Sequence, residues 1–133
     1  MYEIVFDEDN KEINEFFIYL DGLRLNKKNN KDYKIRFNKI VAYLNKLEEY
    51  GTWIGMPFTR HLEDEIWELR PLKDRILYAL VEDNRIVLLN YFVKKRRKTP
   101  RREIAIAKEN LKKFNDREAE LWEHGLMLKI LWI

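Results

Sequence analysis

The stretch NYFVKKRRKTPRREI, residues 90–104, changes abruptly from apolar to basic. Its first residues end an apolar run typical of a β-strand, and a helical pattern begins after Pro100. Seven cations and no acid lie between Lys94 and Arg102. Thr99 is a preferred helix cap, and proline is favoured at the first helical position. We therefore predict a strand-to-helix junction that carries a block of unpaired positive charge.

The residues before this junction predict an antiparallel three-strand meander. The runs 75–81 and 85–94 are β-rich, and the turn-forming residues 82–84 separate them. An earlier run, 66–70, is stopped by Pro71. The segment before that, Gly51 to Leu62, contains two glycines and a proline, so we expect it to be irregular.

The N-terminal part predicts a short strand at 2–6 and then two helices packed as an antiparallel pair. We expect the first helix to end at Gly22, a polar loop at 27–31, and the second helix to end near Gly51. The apolar positions recur at helical spacing. They are Ile13, Phe16, Phe17 and Leu20 in the first helix, and Phe37, Ile40, Val41, Leu44 and Leu47 in the second.

The C-terminal part predicts one more helix and an apolar tail. Ile104, Ala107, Leu111 and Phe114 give the helix one apolar face. The tail, residues 125–133, is too short to cross a membrane, and the sequence leaves its conformation open. The predicted class is therefore α+β, with helices covering one face of the sheet and the other face free for a ligand.

Composition excludes several classes of protein. The 133 residues suggest one domain, 1–133, and the lack of cysteine excludes disulfides and thiolate metal ligands. His61 and His124 are too far apart in sequence to favour a zinc site. No run approaches the roughly twenty apolar residues of a membrane span. The N-terminus is acidic where a signal peptide is basic. We expect a soluble cytoplasmic protein without a metal or cofactor.

The net charge of +3 hides an uneven distribution. Residues 1–21 hold seven acids and a single base, whereas residues 94–102 hold seven bases. Such a basic block creates a local field that attracts phosphate. A solvated charge run at a strand-to-helix junction is the alternative interpretation.

Three pieces of sequence together resemble the HigB branch of the RelE/ParE toxin superfamily, also described as phage-derived host-killing toxins. They are WELR (67–70), RILYAL (75–80) and LLNYFVKKRRKTPRREIAIAKENL (88–111). The branch pattern joins E-L-R, an arginine that opens the next strand, and F-x-K-K followed by a hydroxyl residue and x-K-T-P. Arg96 stands where that hydroxyl residue is common. The likeness covers residues 50–114 and reaches the N-terminal helices only by pattern.

The resemblance implies a RelE-like domain that acts as a ribosome-dependent endoribonuclease on translated messenger RNA, without a metal. It also implies a cognate helix-turn-helix antitoxin of the HigA type that holds the toxin inactive. RNA cleavage of this kind uses the ribose 2′-OH as nucleophile, and negative charge gathers on the phosphoryl oxygens, which oriented cations stabilise. The candidate catalytic residues are Arg70, Arg75, Lys94, Lys95 and Lys98.

The remaining cations of the block are candidates for contact with the RNA backbone, or lie in solvent. Glu68 and Arg70 fall on one face of their strand, so Glu68 is expected to orient an arginine. Ordinary ion pairing with Glu68 or Asp74 is the alternative for Arg70 and Arg75. The candidate RNA-binding residues are Arg96, Arg97, Arg101, Arg102 and His61.

Two other functions stay open at this point. A ParE-like toxin would bind a protein target such as gyrase without cutting RNA, and a plain RNA-binding module would use the basic block for affinity alone. The apolar tail and the acidic N-terminal segment either pack within the chain or dock the antitoxin. Tyr78, Tyr91 and Phe92 stack on a base or belong to the core. The tryptophans are expected to pack: Trp53, Trp67, Trp122 and, in the tail, Trp132.

Overall fold

Helices and strands follow one another in the order of an α+β protein. The computed structural model describes residues 1–82 and 84–131, and it describes residues 124–131 by their backbone alone. Within that part the helices are α1 (Lys11–Asn26), α2 (Lys31–Tyr50) and α3 (Arg101–Leu131), with a 3-10 helix at Gly51–Ile54. The strands are β1 (Glu3–Val5), β2 (Thr59–Glu63), β3 (Ile66–Leu69), β4 (Asp74–Val81) and β5 (Arg85–Val93).

The strands form a five-stranded sheet in the order β1-β5-β4-β3-β2. β1 pairs parallel to β5, with Glu3 opposite Arg85 and Val5 opposite Val87. The other pairs are antiparallel. The predicted α+β class, the N-terminal strand (β1) and the meander β3-β4-β5 are confirmed, and β2 is an additional strand at one edge of the sheet.

Both faces of the sheet are covered, so the prediction of one bare face is wrong. Ile76 and Tyr78 of β4 belong to a core that also contains residues of α1 and α2. Leu77 and Ala79, which point the other way, pack with Ala107 and other residues of α3. A strand that is apolar at successive positions buries both of its faces, and the sequence of β4 has this pattern.

The two glycines predicted to end α1 and α2 behave differently. The helix α1 continues through Gly22 to Asn26, because Leu23 is buried and extends the apolar stripe. The predicted end at Gly22 is therefore wrong. Gly51 does end α2, with φ of 60°, and an added Cβ there would lie 2.6 Å from the ring of Tyr2. Only glycine combines that backbone angle with so close a neighbour.

The segment from Gly51 to Leu62 was predicted to be irregular, but its last residues form most of β2. The glycines and the proline end at position 57, and Thr59–Glu63 pairs with β3. Thr59 is buried and its hydroxyl lies 2.6 Å from that of Tyr78. The edge strand is thus stabilised by contacts with a distant part of the chain, which local composition does not reveal.

The helix α3 extends beyond the residues that were predicted to form its apolar face. It runs to Leu131, so the backbone of the apolar tail is helical as far as that residue. The side chains of His124 and of the tail, and residues 132–133 with Trp132, lie outside the described residues, so docking by the tail stays a prediction. In the described part of the chain, no helix is both long enough and apolar enough to cross a membrane.

Candidate functional site

One end of the sheet gathers polar residues from four elements. β3 ends there, β4 begins there, and β5 ends there, with Asp74 opposite Val93. The start of β2 lies at the same end, since Thr59 is opposite Leu69. After β5, the chain crosses to the start of α3. Side chains far apart in sequence therefore meet at this end of the sheet.

A buried carboxylate, Glu68, is the centre of the cluster. Its side chain is 1% exposed, and Arg60 Nη2 lies 3.4 Å from its Oε1. Arg70 Nε lies 3.4 Å and Arg75 Nε 3.9 Å from the same oxygen. We call Glu68 with these three residues the arginine cluster. One carboxylate neutralises one guanidinium, so the arginine cluster retains two positive charges in excess.

The other oxygen of Glu68 accepts a hydrogen bond from Thr99. The distance from Thr99 Oγ1 to Glu68 Oε2 is 2.5 Å, and Arg60 Nη2 lies 3.4 Å from the same hydroxyl. The Pro100 carbonyl accepts the first helical bond of α3, from Ile104 N at 3.3 Å. Pro100 therefore occupies the cap position, and the predicted capping role of Thr99 is wrong.

Arg75 is held rigidly at the base of the arginine cluster. Its side chain is buried, and Nη1 donates to the carbonyls of Leu72, at 2.7 Å, and Asp74, at 2.9 Å. Leu72 has φ of 55°, a conformation unusual for a residue with a side chain, and its carbonyl accepts the shorter of the two bonds. Burial lowers the pKa of Arg75, although Glu68 opposes this effect.

Two guanidinium nitrogens of the cluster are buried without a hydrogen-bond acceptor in the described chain. They are the Nε atoms of Arg60 and Arg70, and the 3.4 Å contact of Arg70 Nε with Glu68 Oε1 is an ion pair without a hydrogen bond. Arg70 Nη1 lies 3.6 Å from the sulfur of Met56, which is a weak acceptor. Buried donors without acceptors are rare in folded proteins and require an explanation.

The predicted catalytic lysines lie beside the cluster but do not belong to it. Residues 94–98, which we call the basic segment, are all exposed. None of their side chains makes a hydrogen bond or ion pair with the described residues. Lys98 lines a surface pocket of 260 Å³ together with Arg60, His61 and Arg101. The structure thus brings Arg70 and Arg75 together, and it places Lys94, Lys95 and Lys98 on the adjoining loop.

The predicted RNA-binding residues are spread along the same edge. Arg96 and Arg97 lie in the basic segment, and Arg102 is exposed at the start of α3. Arg101 pairs with Glu63, and this contact together with Lys108 lowers the pKa of Glu63 to about 2. His61 Nε2 donates to the carbonyl of Asp64, at 2.7 Å, and the rings of His61 and Trp67 lie edge to face, with centroids 5.1 Å apart.

The aromatic residues divide between core and surface. Tyr78 is fully buried, and burial raises its pKa to about 12. Tyr91 and Phe92 are half-buried and pack against the two cores. Trp53 is 84% exposed and Trp122 67% exposed, so the prediction that these two tryptophans pack is wrong.

Sequence reasoning missed Arg60, the contact of Thr99 and a second buried carboxylate. Arg60 was missed because β2 was not predicted. Asp74, which is fully buried on the opposite face of the sheet, accepts from Tyr19 at 3.0 Å and from Arg36 Nη2 at 2.9 Å. No local pattern in the sequence pointed to this contact, because its donors come from α1 and α2.

Comparisons with known proteins place the chain in a family. The family described as phage-derived protein Gp49-like (DUF891) matches residues 25–112. No functionally curated protein matches the chain. Among solved structures, the chain is similar to one from the YoeB–YefM complex of Staphylococcus aureus, with 19% identity and a TM-score of 0.42. That similarity covers 68% of this chain and 94% of the other. Since the family match spans well over half of its residues, this protein belongs to the Gp49-like family of phage-derived proteins.

Proposed function

We propose that the protein is the toxin of a type II toxin–antitoxin system, and that it cleaves translated messenger RNA on the ribosome. The motifs that resemble the HigB branch lie within residues 67–111, inside the region that matches the Gp49-like family. The same residues contribute Glu68, Arg70 and Arg75 to the arginine cluster.

The excess charge of the arginine cluster is the observation that carries this proposal. Three guanidinium groups share one carboxylate, and two of their nitrogens are buried without an acceptor in the described chain. Guanidinium groups present planar forks of donors that match phosphate oxygens. A phosphate group that contacts the exposed parts of Arg60 and Arg70 would supply the missing negative charge. Such a site favours a transition state in which charge accumulates on phosphoryl oxygens.

Cleavage proceeds by attack of the ribose 2′ oxygen on the adjacent phosphorus, with departure of the 5′ oxygen of the next nucleotide. The 2′-OH gives up its proton to a base, and the leaving 5′ oxygen receives a proton from an acid. Arg75, fixed by two backbone carbonyls, and Arg70 hold the phosphoryl oxygens. Lys94, Lys95 and Lys98 supply further positive charge and a proton donor from the adjoining basic segment.

The remaining cations position the RNA. Arg96 and Arg97, exposed in the basic segment, and Arg102, exposed at the start of α3, contact the sugar-phosphate backbone of messenger or ribosomal RNA. Arg101 and His61 line the same pocket as Lys98. A helix-turn-helix antitoxin of the HigA type is the proposed partner that keeps the toxin inactive.

Arg75→Ala and Lys95→Ala test this function. Induced expression of the wild-type protein should arrest growth, and primer extension should show breaks within translated frames. Removing one fixed donor to a charged transition state costs about 10²- to 10³-fold in rate, so Arg75→Ala should abolish arrest. Lys95→Ala should also abolish arrest, because it removes one of the lysines that supply positive charge and a proton donor.

Arg24→Ala is the matched control, because Arg24 is exposed on α1 and pairs with Asp21. It should remain as toxic as the wild-type protein. Full toxicity of both Arg75→Ala and Lys95→Ala would refute the proposed site. Growth arrest with intact transcripts would refute cleavage and favour a ParE-like protein target.

A further inference from the structure

The basic segment is fixed at both of its ends. At its start, the amide of Lys94 donates to the carbonyl of Lys73, at 2.7 Å. Just past its end, the hydroxyl of Thr99 donates to Glu68 Oε2, at 2.5 Å. The segment between Lys94, which makes the first contact, and Thr99 consists of five consecutive exposed cations, Lys94 included. Like charges repel one another and extend a segment of this kind, so the two fixed ends limit the conformations that it can adopt.

The contact of Thr99 is an unusual use of its side chain. A threonine just before a helix commonly accepts a bond from a free backbone amide of the first turn. Here Thr99 is 7% exposed, and its hydroxyl donates to a carboxylate that is itself 1% exposed. A buried hydrogen bond to a charged acceptor is stronger than one between neutral groups. Because Pro100 occupies the cap position of α3, the hydroxyl of Thr99 is free to anchor the basic segment.

Glu68 therefore makes two kinds of contact at once. Through Oε1 it lies near Arg60, Arg70 and Arg75, and through Oε2 it accepts from Thr99. Because both oxygens are engaged and the side chain is buried, Glu68 is poorly placed to take a proton from a ribose hydroxyl. Its geometry suits the fixing of other groups.

We propose that Glu68 and Thr99 are positioning residues that hold the basic segment at a set distance from the arginine cluster. A single-stranded RNA would then find two preformed sites, one phosphate at the arginine cluster and neighbouring phosphates along the basic segment. The inference rests on the proposed function for the identity of the ligand, but the anchoring of the segment can be measured without RNA.

Thr99→Val is the test variant, since valine has nearly the shape of threonine and lacks the hydroxyl. Thr99→Ser, which keeps the hydroxyl, is the rescue variant. Limited trypsin digestion reports on the anchoring, because trypsin cleaves after the exposed lysines and arginines of the basic segment. Cleavage after Lys27 and Lys28, in the turn between α1 and α2, provides an internal reference. Thr99→Val should raise cleavage in the basic segment about tenfold relative to that reference, and Thr99→Ser should restore the wild-type ratio.

Binding of a short single-stranded 2′-O-methyl RNA, which lacks the attacking hydroxyl, provides the second readout. It is measured by fluorescence anisotropy at a temperature where circular dichroism shows all variants folded. Thr99→Val should bind about tenfold more weakly than the wild-type protein, and Thr99→Ser should bind like it.

The outcomes separate the two proposals. Unchanged trypsin cleavage in Thr99→Val would overturn the anchoring of the basic segment but would not contradict the proposed RNA site. Faster trypsin cleavage with unchanged RNA affinity would show that the contact of Thr99 holds the basic segment without affecting RNA binding. That result would also overturn the positioning role. Failure of the wild-type protein to bind RNA, with the cleavage pattern as expected, would overturn the proposed function and the RNA part of this inference.

Discussion

Two buried carboxylates lie at the same end of the sheet, on opposite faces, and their surroundings differ in charge. Asp74 belongs to the face that α1 and α2 cover, and Glu68 belongs to the face that α3 partly covers. Their side chains are 0% and 1% exposed. Both carboxylates accept from arginines, yet the charges balance only around Asp74.

Asp74 has hydrogen-bond donors for both of its carboxylate oxygens and one arginine that balances its charge. Arg36 donates to both carboxylate oxygens, at 2.9 and 3.3 Å, and the hydroxyls of Tyr19 and Tyr91 donate to Oδ1, at 3.0 and 3.2 Å. The two rings stack, and Arg36 lies over the ring of Tyr19. Burial raises the pKa of Tyr19 to about 12, so its hydroxyl stays protonated and remains a donor. One positive charge balances one negative charge.

The charges around Glu68 do not balance. Three arginines share it, and buried donors remain without acceptors in the described chain. A protein that needed only stability would gain nothing from this excess, because unbalanced buried charge is costly. The difference between the two groups separates a carboxylate that fixes the fold from one that prepares a site for an anion.

The largest expected effect compares Arg36→Ala with Arg60→Ala. Each variant removes one arginine from a buried carboxylate. Arg36→Ala leaves Asp74 without a cation and should lower the free energy of unfolding by about 3–5 kcal/mol. Arg60→Ala leaves Glu68 with two arginines, so its effect should stay within about 1 kcal/mol of zero. Urea denaturation followed by circular dichroism measures both.

The exposed Arg24, paired with Asp21, is the control for loss of an arginine side chain, and Arg24→Ala should change stability little. If Arg60→Ala destabilised the protein as much as Arg36→Ala, the excess charge at Glu68 would not exist as described. A gain in stability for Arg60→Ala would strengthen the contrast, since functional sites often carry strain that stability alone would remove.

The same contrast shows what the sequence could and could not predict. The strands β3, β4 and β5 were predictable because apolar runs, a proline and a turn mark their ends. The proximity of Arg70 and Arg75 followed from the hairpin that joins their strands. Period-two alternation also placed Glu68 on the face of Arg70, and the structure brings both arginines near it.

The rest of the site depends on contacts between distant residues. Thr99 lies 31 positions from Glu68, and Arg36 lies 38 positions from Asp74. No local periodicity links such pairs, because they meet only after helices pack on the sheet. Arg60 could not be placed while β2 was read as irregular, and the exposure of Trp53 could not be told from burial by residue type.

A smaller effect is expected from a substitution in the basic segment, which adjoins Glu68, and it concerns RNA binding. Lys95→Ala should weaken binding of the 2′-O-methyl RNA several-fold at low salt. Each phosphate contact by a cation contributes about 0.7 to the slope of log affinity against log salt for a single strand. The slope should therefore fall by about that amount in Lys95→Ala. Lys28→Ala, in the turn between α1 and α2, should leave it unchanged, and an equal fall there would mean non-specific attraction.

The smallest effect concerns a third carboxylate, Glu63, which pairs with Arg101 and Lys108 near the surface. Arg101 and Lys108 hold its pKa at about 2, below the value of about 4.3 usual for an unfolded chain. A pKa lowered by folding gives stability that is complete above the unfolded value and is lost as the pH falls towards the folded value. Wild-type stability should therefore decline as the pH falls from about 4.3 towards 2, and Glu63→Gln should show a shallower decline. Urea titrations at successive pH values measure the two slopes, and equal slopes would mean that solvent screens the two contacts of Glu63 completely.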